Sequence, residues 1–217
     1  MTPSGFRALN FTRRDENDMT ATARELLNNL RERRSVRRFS SEAIPLDAVR
    51  LAIETAAQAP SGANRQPWSF VLVTRPEVKA RLRQSAEEGE RAFYGNPASR
   101  NWVNDLEHLG TDADKAFIEE APALIAVFAQ SVGDEGEQHY YVKESVGIAC
   151  GFLVAALHLI GLATLTYTPS KMRFLGELLD RPANERPYLL IPVGYPAEGC
   201  EVPDIARKGR AEFLTEM

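Results

Sequence analysis

The chain has 217 residues, 44% hydrophobic and 26% charged, with a formal net charge of -4, enough apolar material for one sizeable core. Positive and negative residues are well mixed, which excludes a general basic field for nucleic acid or an anionic membrane surface. Two distant cysteines, Cys150 and Cys200, and three histidines form no metal-ligand spacing, so no bound metal is expected.

Residues 1–18 are polar and carry Arg7, Arg13, Arg14, Asp15 and Glu16, with no stretch resembling a signal peptide or anchor. They are read as a mobile N-terminal arm, residues 19–217 as a single domain, and the protein as soluble and cytoplasmic. Met19, Ala23, Leu26, Leu27 and Leu30 recur at helical spacing behind Thr22 and Glu25, a capping box, and predict a helix ending near Arg33. Pro45 opens a second apolar stripe through Leu46, Val49, Ile53, Ala56 and Ala57, which Pro60 stops. A loop follows over 61–67. Strands are predicted at 70–74, 124–128, 162–167 and 188–193, with helical segments between them, so the class is mixed α and β. The run from Val146 to Ile160 is apolar all round and predicts a helix buried on every side, in the core or against a second subunit. It falls short of the roughly 20 residues needed to span a bilayer. Gly161 is its natural C-terminal stop, and Cys150 within it reads as a small core residue.

Three segments carry chemical potential. Arg33, Arg34, Ser35, Val36, Arg37 and Arg38 set four guanidinium groups and a hydroxyl just past the first helix. Arginine holds phosphate through paired, charge-assisted hydrogen bonds, although a solvated helix C-terminus is the plainer reading of such a run. The loop Ser61, Gly62, Ala63, Asn64, Arg65, Gln66 is small and polar, suited to close approach of a planar ligand. Thr166, Tyr167 and Thr168 precede Pro169 at a strand end, a turn or a set of hydroxyl and backbone donors.

Taken together and in this order, the RRSVR start, the APSGAN and QPW loop, the TYTP strand end and the PVGYP close resemble the nitroreductase superfamily along nearly the whole chain from Arg33. The resemblance implies an α+β fold with a central mixed sheet flanked by helices, in an intertwined homodimer holding FMN at its interface. Arg33, Arg34, Ser35, Val36, Arg37 and Arg207 would bind its phosphate and flavin edge, with Ser61, Gly62, Thr166, Tyr167 and Thr168 lining the flavin. Glu90, Tyr94 and Lys115 narrow the resemblance to the iodotyrosine deiodinases. An amino acid is a zwitterion: its ammonium needs a carboxylate such as Glu90, and its carboxylate a cation and donor such as Lys115 and Tyr94. By that resemblance the backbone N–H of Ala63 would hold the substrate phenolate, and a Thr168 hydroxyl near flavin N5 would act catalytically by favouring one-electron steps. The implied partners are a halotyrosine and an electron donor, either NAD(P)H or a reductase. A broad NAD(P)H-dependent nitroreductase or quinone reductase is the alternative, and a flavin carrier without turnover a more distant one. Gly89, Gly95, Asn96 and Pro97 depart from the relatives and suggest a loosened lid. Tyr167 stands where a smaller residue is usual.

Overall fold

The computed structural model describes residues 5–217, divided into two compact units whose boundary in sequence lies between Arg33 and Arg34. In the first, helix α1 spans Glu16–Glu32. It begins earlier than the Thr22 box suggested, because Asp15 caps it: the carboxylate accepts from Asn17 N at 2.9 Å and Asp18 N at 3.0 Å. An aspartate with a free side chain satisfies the orphan amides of a first turn, so Thr22 and Glu25 fall mid-helix and Glu16 to Asp18 are helical rather than part of an arm. The helix buries none of its residues, and Met19, Leu26 and Leu27 are exposed.

The second unit is a three-layer arrangement. A four-stranded sheet, ordered β1-β2-β4-β3, comprises β1 Trp68–Val73, β2 Ala123–Gln130, β3 Ala163–Thr164 and β4 Glu185–Gly194. All three strand pairings are antiparallel. The mixed character expected from sequence is confined to one isolated parallel bridge, Ser35 to Thr164. The third strand is shorter than expected, its continuation meeting β4 again where Leu165 N donates to Pro192 O at 3.4 Å and where Tyr167 stands opposite Leu190.

Helices α2 Leu46–Ala56 and α6 Val142–Leu159 cover one face of the sheet; α3 Pro76–Tyr94 and the short α5 Phe117–Glu120 and α7 Arg173–Leu178 cover the other. Strand periodicity explains the sorting. On β2, Ala123, Ile125 and Val127 pack with Val49, Val146, Leu153 and Leu157, whereas Leu124, Ala126 and Phe128 pack with Leu82, Ala86, Ile118 and Leu175. A strand covered on both faces reads as a continuous apolar run instead of an alternation.

Helix α6 departs from expectation in one respect. Val146, Ala149, Cys150, Leu153 and Leu157 are buried, and burial pushes the Cys150 thiol up to about 12, leaving it an inert core group. Ile148, Phe152 and Leu159, with Ile160 after it, are exposed, so one chain does not bury the helix on every side. Gly161 follows with φ +85, the left-handed conformation that glycine adopts without strain at a helix end.

Candidate active site

Glu90 and Tyr94 lie one turn apart on α3, so their side chains leave the same helix face. Lys115 reaches them from the segment before α5. The Glu90 and Lys115 side chains are almost fully buried, with Oε2 and Nζ 3.9 Å apart. Lys115 Nζ donates to the Asp112 carbonyl and lies 5.5 Å from the Tyr94 ring centre and 5.8 Å from that of Tyr167, within cation–π range. Burial pulls the Lys115 ammonium below its ordinary value; Glu90 and Asp112 oppose the shift and Arg37 adds to it.

Glu90 has two further partners. Its Oε1 accepts from the Tyr167 hydroxyl at 3.0 Å and from Ser170 N at 2.9 Å. The second contact depends on Gly89. A Cβ there would lie 3.3 Å from Ser170 Oγ and 3.6 Å from Lys171 Cβ, so the missing side chain lets the 169–171 turn approach α3. The helix runs unbroken through Gly89 to Gly95. Gly89 therefore tightens this region rather than loosening it, and Asn96 caps the turn Pro97–Ser99 by accepting from Ala98 N at 3.0 Å.

The segment bearing Lys115 is fastened to α3 by a charged latch. Glu87 Oε1 accepts from Lys115 N at 3.1 Å and from Arg83 Nε at 2.6 Å, and Arg83 also meets Asp114 at 3.0 Å and Glu119 at 3.5 Å. Burial alone would raise the Glu87 carboxyl, but the Arg83 and Lys115 hydrogen bonds hold it below its ordinary value. The latch therefore contributes stability above that value and loses it as pH falls through the lowered one. Deeper on the same side, Lys79 Nζ donates to the carbonyls of Glu119 and Ala121 at 2.8 and 2.7 Å, closing the C-terminus of α5.

A cavity of about 440 Å3 joins these groups to the strand end. Arg37, Glu90, Tyr94, Lys115 and Thr166 to Ser170 line it, with Phe93, Trp102, Leu106 and Leu109 as an apolar wall. The last three lie on and just after helix α4, Arg100–Glu107, at a spacing that is legible in the sequence as a helical stripe. Phe93 packs edge-on against Trp102 with ring centres 5.7 Å apart, and Tyr94 Oη lies 3.3 Å from Thr111 Oγ1. The half-buried Arg37 guanidinium is shifted down by burial, with Tyr94 opposing.

The remaining candidates are distributed unevenly. Thr166 and Thr168 are exposed beside the cavity. Tyr167 between them is buried, its backbone paired with Leu190 and its side chain turned to Glu90; its ring meets Phe117 edge-on at 5.2 Å. Val36, expected with the cofactor-binding run, turns its side chain into the core, and its N–H donates to Thr164 O at 3.0 Å. A side-chain role is therefore closed to it. Ser35 forms the neighbouring bridge, and Arg34 donates to the Pro203 carbonyl. Arg33 closes α1 in the other unit, and Arg207 lies exposed in the C-terminal segment.

Ser61, Gly62 and Ala63 do not line this cavity. Ser61 Oγ accepts from Gln66 N at 2.9 Å, and Gly62 packs so closely on the 140–141 backbone that a Cβ would lie 2.9 Å from Tyr140 O. Ala63, Asn64 and Gln66 all have positive φ, an uncommon conformation for side-chain-bearing residues that clusters at functional loops.

The nitroreductase family model matches residues 30–195. The chain is 51% identical over 201 residues to the iodotyrosine deiodinase of Haliscomenobacter hydrossis, covering 91% of this chain and 90% of the relative. It is 42% identical over 207 residues to iodotyrosine deiodinase 1 of Homo sapiens, covering 93% and 72%. The crystal structure of an oxidised iodotyrosine deiodinase bound to FMN and 3-iodo-L-tyrosine superposes with a TM-score of 0.75 at 31% identity, over 88% of this chain and 100% of that one. With most of the chain matched by the family model, and relatives this similar along nearly all of it, the protein belongs to the nitroreductase family.

Proposed function

We propose that the protein is an FMN-dependent reductive dehalogenase of halotyrosines that acts as a homodimer. The observation that carries this reading is the single cavity in which Arg37 and Thr166 to Thr168 share a wall with Glu90, Tyr94 and Lys115. The donor set suits the cofactor: Arg34, Arg37 and Arg207 offer cations, and Ser35, Thr166 and Thr168 offer hydroxyls, for a phosphate and a polar ring edge. The deiodinase relatives, one with FMN and iodotyrosine bound, support the same assignment.

In this reading Glu90 binds the substrate ammonium, and Lys115 with Tyr94 binds its carboxylate. Phe93, Trp102, Leu106 and Leu109 exclude water from the aromatic ring and strengthen those charged contacts. The net change replaces C–I by C–H and releases iodide, consuming two electrons and one proton. Bound FMN supplies the electrons, and NAD(P)H or a separate reductase restores them. Thr168 lines the same cavity, and its hydroxyl would tune the reduction of FMN held there. A second copy accounts for the loop from Ser61 to Ala63, which stands outside the cavity of its own chain, and for the exposed Ile148, Phe152, Leu159 and Ile160 around α6.

One observation favours the broader nitroreductase reading: Glu90 and Lys115 already pair with each other and with the protein, so a neutral aromatic entering the cavity strands no charge. The test is anaerobic reduction of the purified yellow protein, followed by 3-iodotyrosine or a nitroaromatic. We expect flavin reoxidation by iodotyrosine with one tyrosine and one iodide formed per flavin. Reoxidation by the nitroaromatic alone would overturn the dehalogenase reading.

A further inference from the structure

Tyr167 is placed for a task that lining a flavin does not require. It sits on the continuation of β3, where extended backbone alternates Leu165 and Tyr167 inward with Thr166 and Thr168 outward. The bridge to Leu190 fixes its backbone, with N–H to carbonyl distances of 2.9 Å in both directions. The ring is held edge-on by Phe117. A side chain clamped at both ends keeps its hydroxyl in one place, 3.0 Å from Glu90 Oε1. Burial, reinforced by the neighbouring Glu90 charge, pushes the phenol far above its ordinary value, so it remains a proton donor.

The same Oε1 receives Ser170 N, while Oε2 alone faces Lys115. We propose that Tyr167 is the positioning residue of the ammonium subsite: together with the Ser170 N–H it occupies Glu90 Oε1 and aims Oε2 at the incoming amino group. A carboxylate on a two-carbon stem has several rotamers, and fixing one before the ligand arrives removes an ordering cost from binding. A side chain too short to reach Oε1 from position 167 would leave Glu90 held by Ser170 N alone. The preorganised carboxylate therefore makes Tyr167 a determinant of selectivity for ligands carrying a primary ammonium. This rests on the zwitterion reading of the cavity.

The test is calorimetric binding to the FMN-loaded protein of three probes: 3-iodotyrosine, 3-iodotyramine, which lacks the carboxylate, and the des-amino analogue 3-(4-hydroxy-3-iodophenyl)propionate. Tyr167→Phe keeps the ring and its packing on Phe117. It is expected to weaken both ammonium-bearing probes about tenfold, the scale of one charge-assisted hydrogen bond, and to leave the des-amino probe at parental affinity. In a Glu90→Gln background the same substitution is expected to cause no further loss, since Tyr167 acts through Glu90. Equal weakening of all three probes, additivity with Glu90→Gln, or no change for iodotyrosine would each overturn the proposal. Failure of the parent protein to bind iodotyrosine at all would instead remove the zwitterion reading beneath it.

Discussion

Helices α3 and α6 are of similar length and cover opposite faces of the same sheet, yet they do different work. Helix α6 packs Val146, Ala149, Leu153 and Leu157 into the core and sends no side chain into the cavity. Helix α3 commits Val78, Leu82 and Ala86 to the opposite core cluster, then gives its last two turns to Glu90, Phe93 and Tyr94. One helix holds the sheet, whereas the other uses the sheet as a platform. Stability and recognition are thus separated by element, so substitutions in the two helices should have separable effects.

The largest effect should come from α6. Leu153 is completely buried, and Leu153→Ala removes apolar contact and leaves a cavity costing about 2–5 kcal/mol. We expect a lower urea midpoint with an unchanged slope, while iodotyrosine affinity of the folded protein stays within about twofold of the parent. A comparable loss of affinity would show that the two helices are not separable.

The next effect belongs to the site. Lys115→Met keeps an apolar stem against Tyr94 and Tyr167 but removes the charge, and should weaken iodotyrosine binding by about 1.5–3 kcal/mol, read by calorimetry. Lys115→Arg retains a cation. Because burial lowers the Lys115 ammonium from 10.5, parental affinity should be full below the lowered value and fall as pH rises through it, earlier than an ordinary lysine would titrate. The arginine variant should hold its affinity further into alkali. Its own linkage to folding has the opposite sign, since the unfolded chain keeps that proton longer and stability rises with pH across the interval. Parallel alkaline profiles for parent and arginine variant would remove Lys115 from carboxylate binding.

The smallest effect is the most discriminating. Gly89→Ala improves helix propensity by about 0.5–1 kcal/mol, but its Cβ would press on Ser170 Oγ at 3.3 Å. Thermal stability should stay level or rise slightly, while iodotyrosine affinity falls by a factor of about two to five as Ser170 N withdraws from Glu90. An unchanged affinity would mean that the 169–171 turn yields freely and that Gly89 is an ordinary helix residue.

Much of this was legible in the chain. An apolar stripe locates α2, a run apolar all round locates α6, short β-rich segments locate β2 and β4, and the resemblance picks out Glu90, Tyr94 and Lys115. The latch was partly visible as well, since Arg83 and Glu87 stand at i,i+4 on a helix. Local reasoning failed where capping depends on which side chain is free, as at Asp15. It also misread Gly89, whose meaning is set by the turn packed against it.

What the sequence by itself determined is which segments of the larger unit form its main helices and strands, and the identity of the charged groups, because hydrophobic period and residue chemistry are local properties. Only the tertiary structure decided that Tyr167 belongs to Glu90, 77 residues away, and that Val36 belongs to the core. It also decided that the loop at Ser61 lies outside the cavity of its own chain. The physical reason is that a hydrogen bond across such a separation has no periodic trace: it exists because the continuation of β3 and helix α3 are each fixed by other contacts and bring a hydroxyl to a carboxylate.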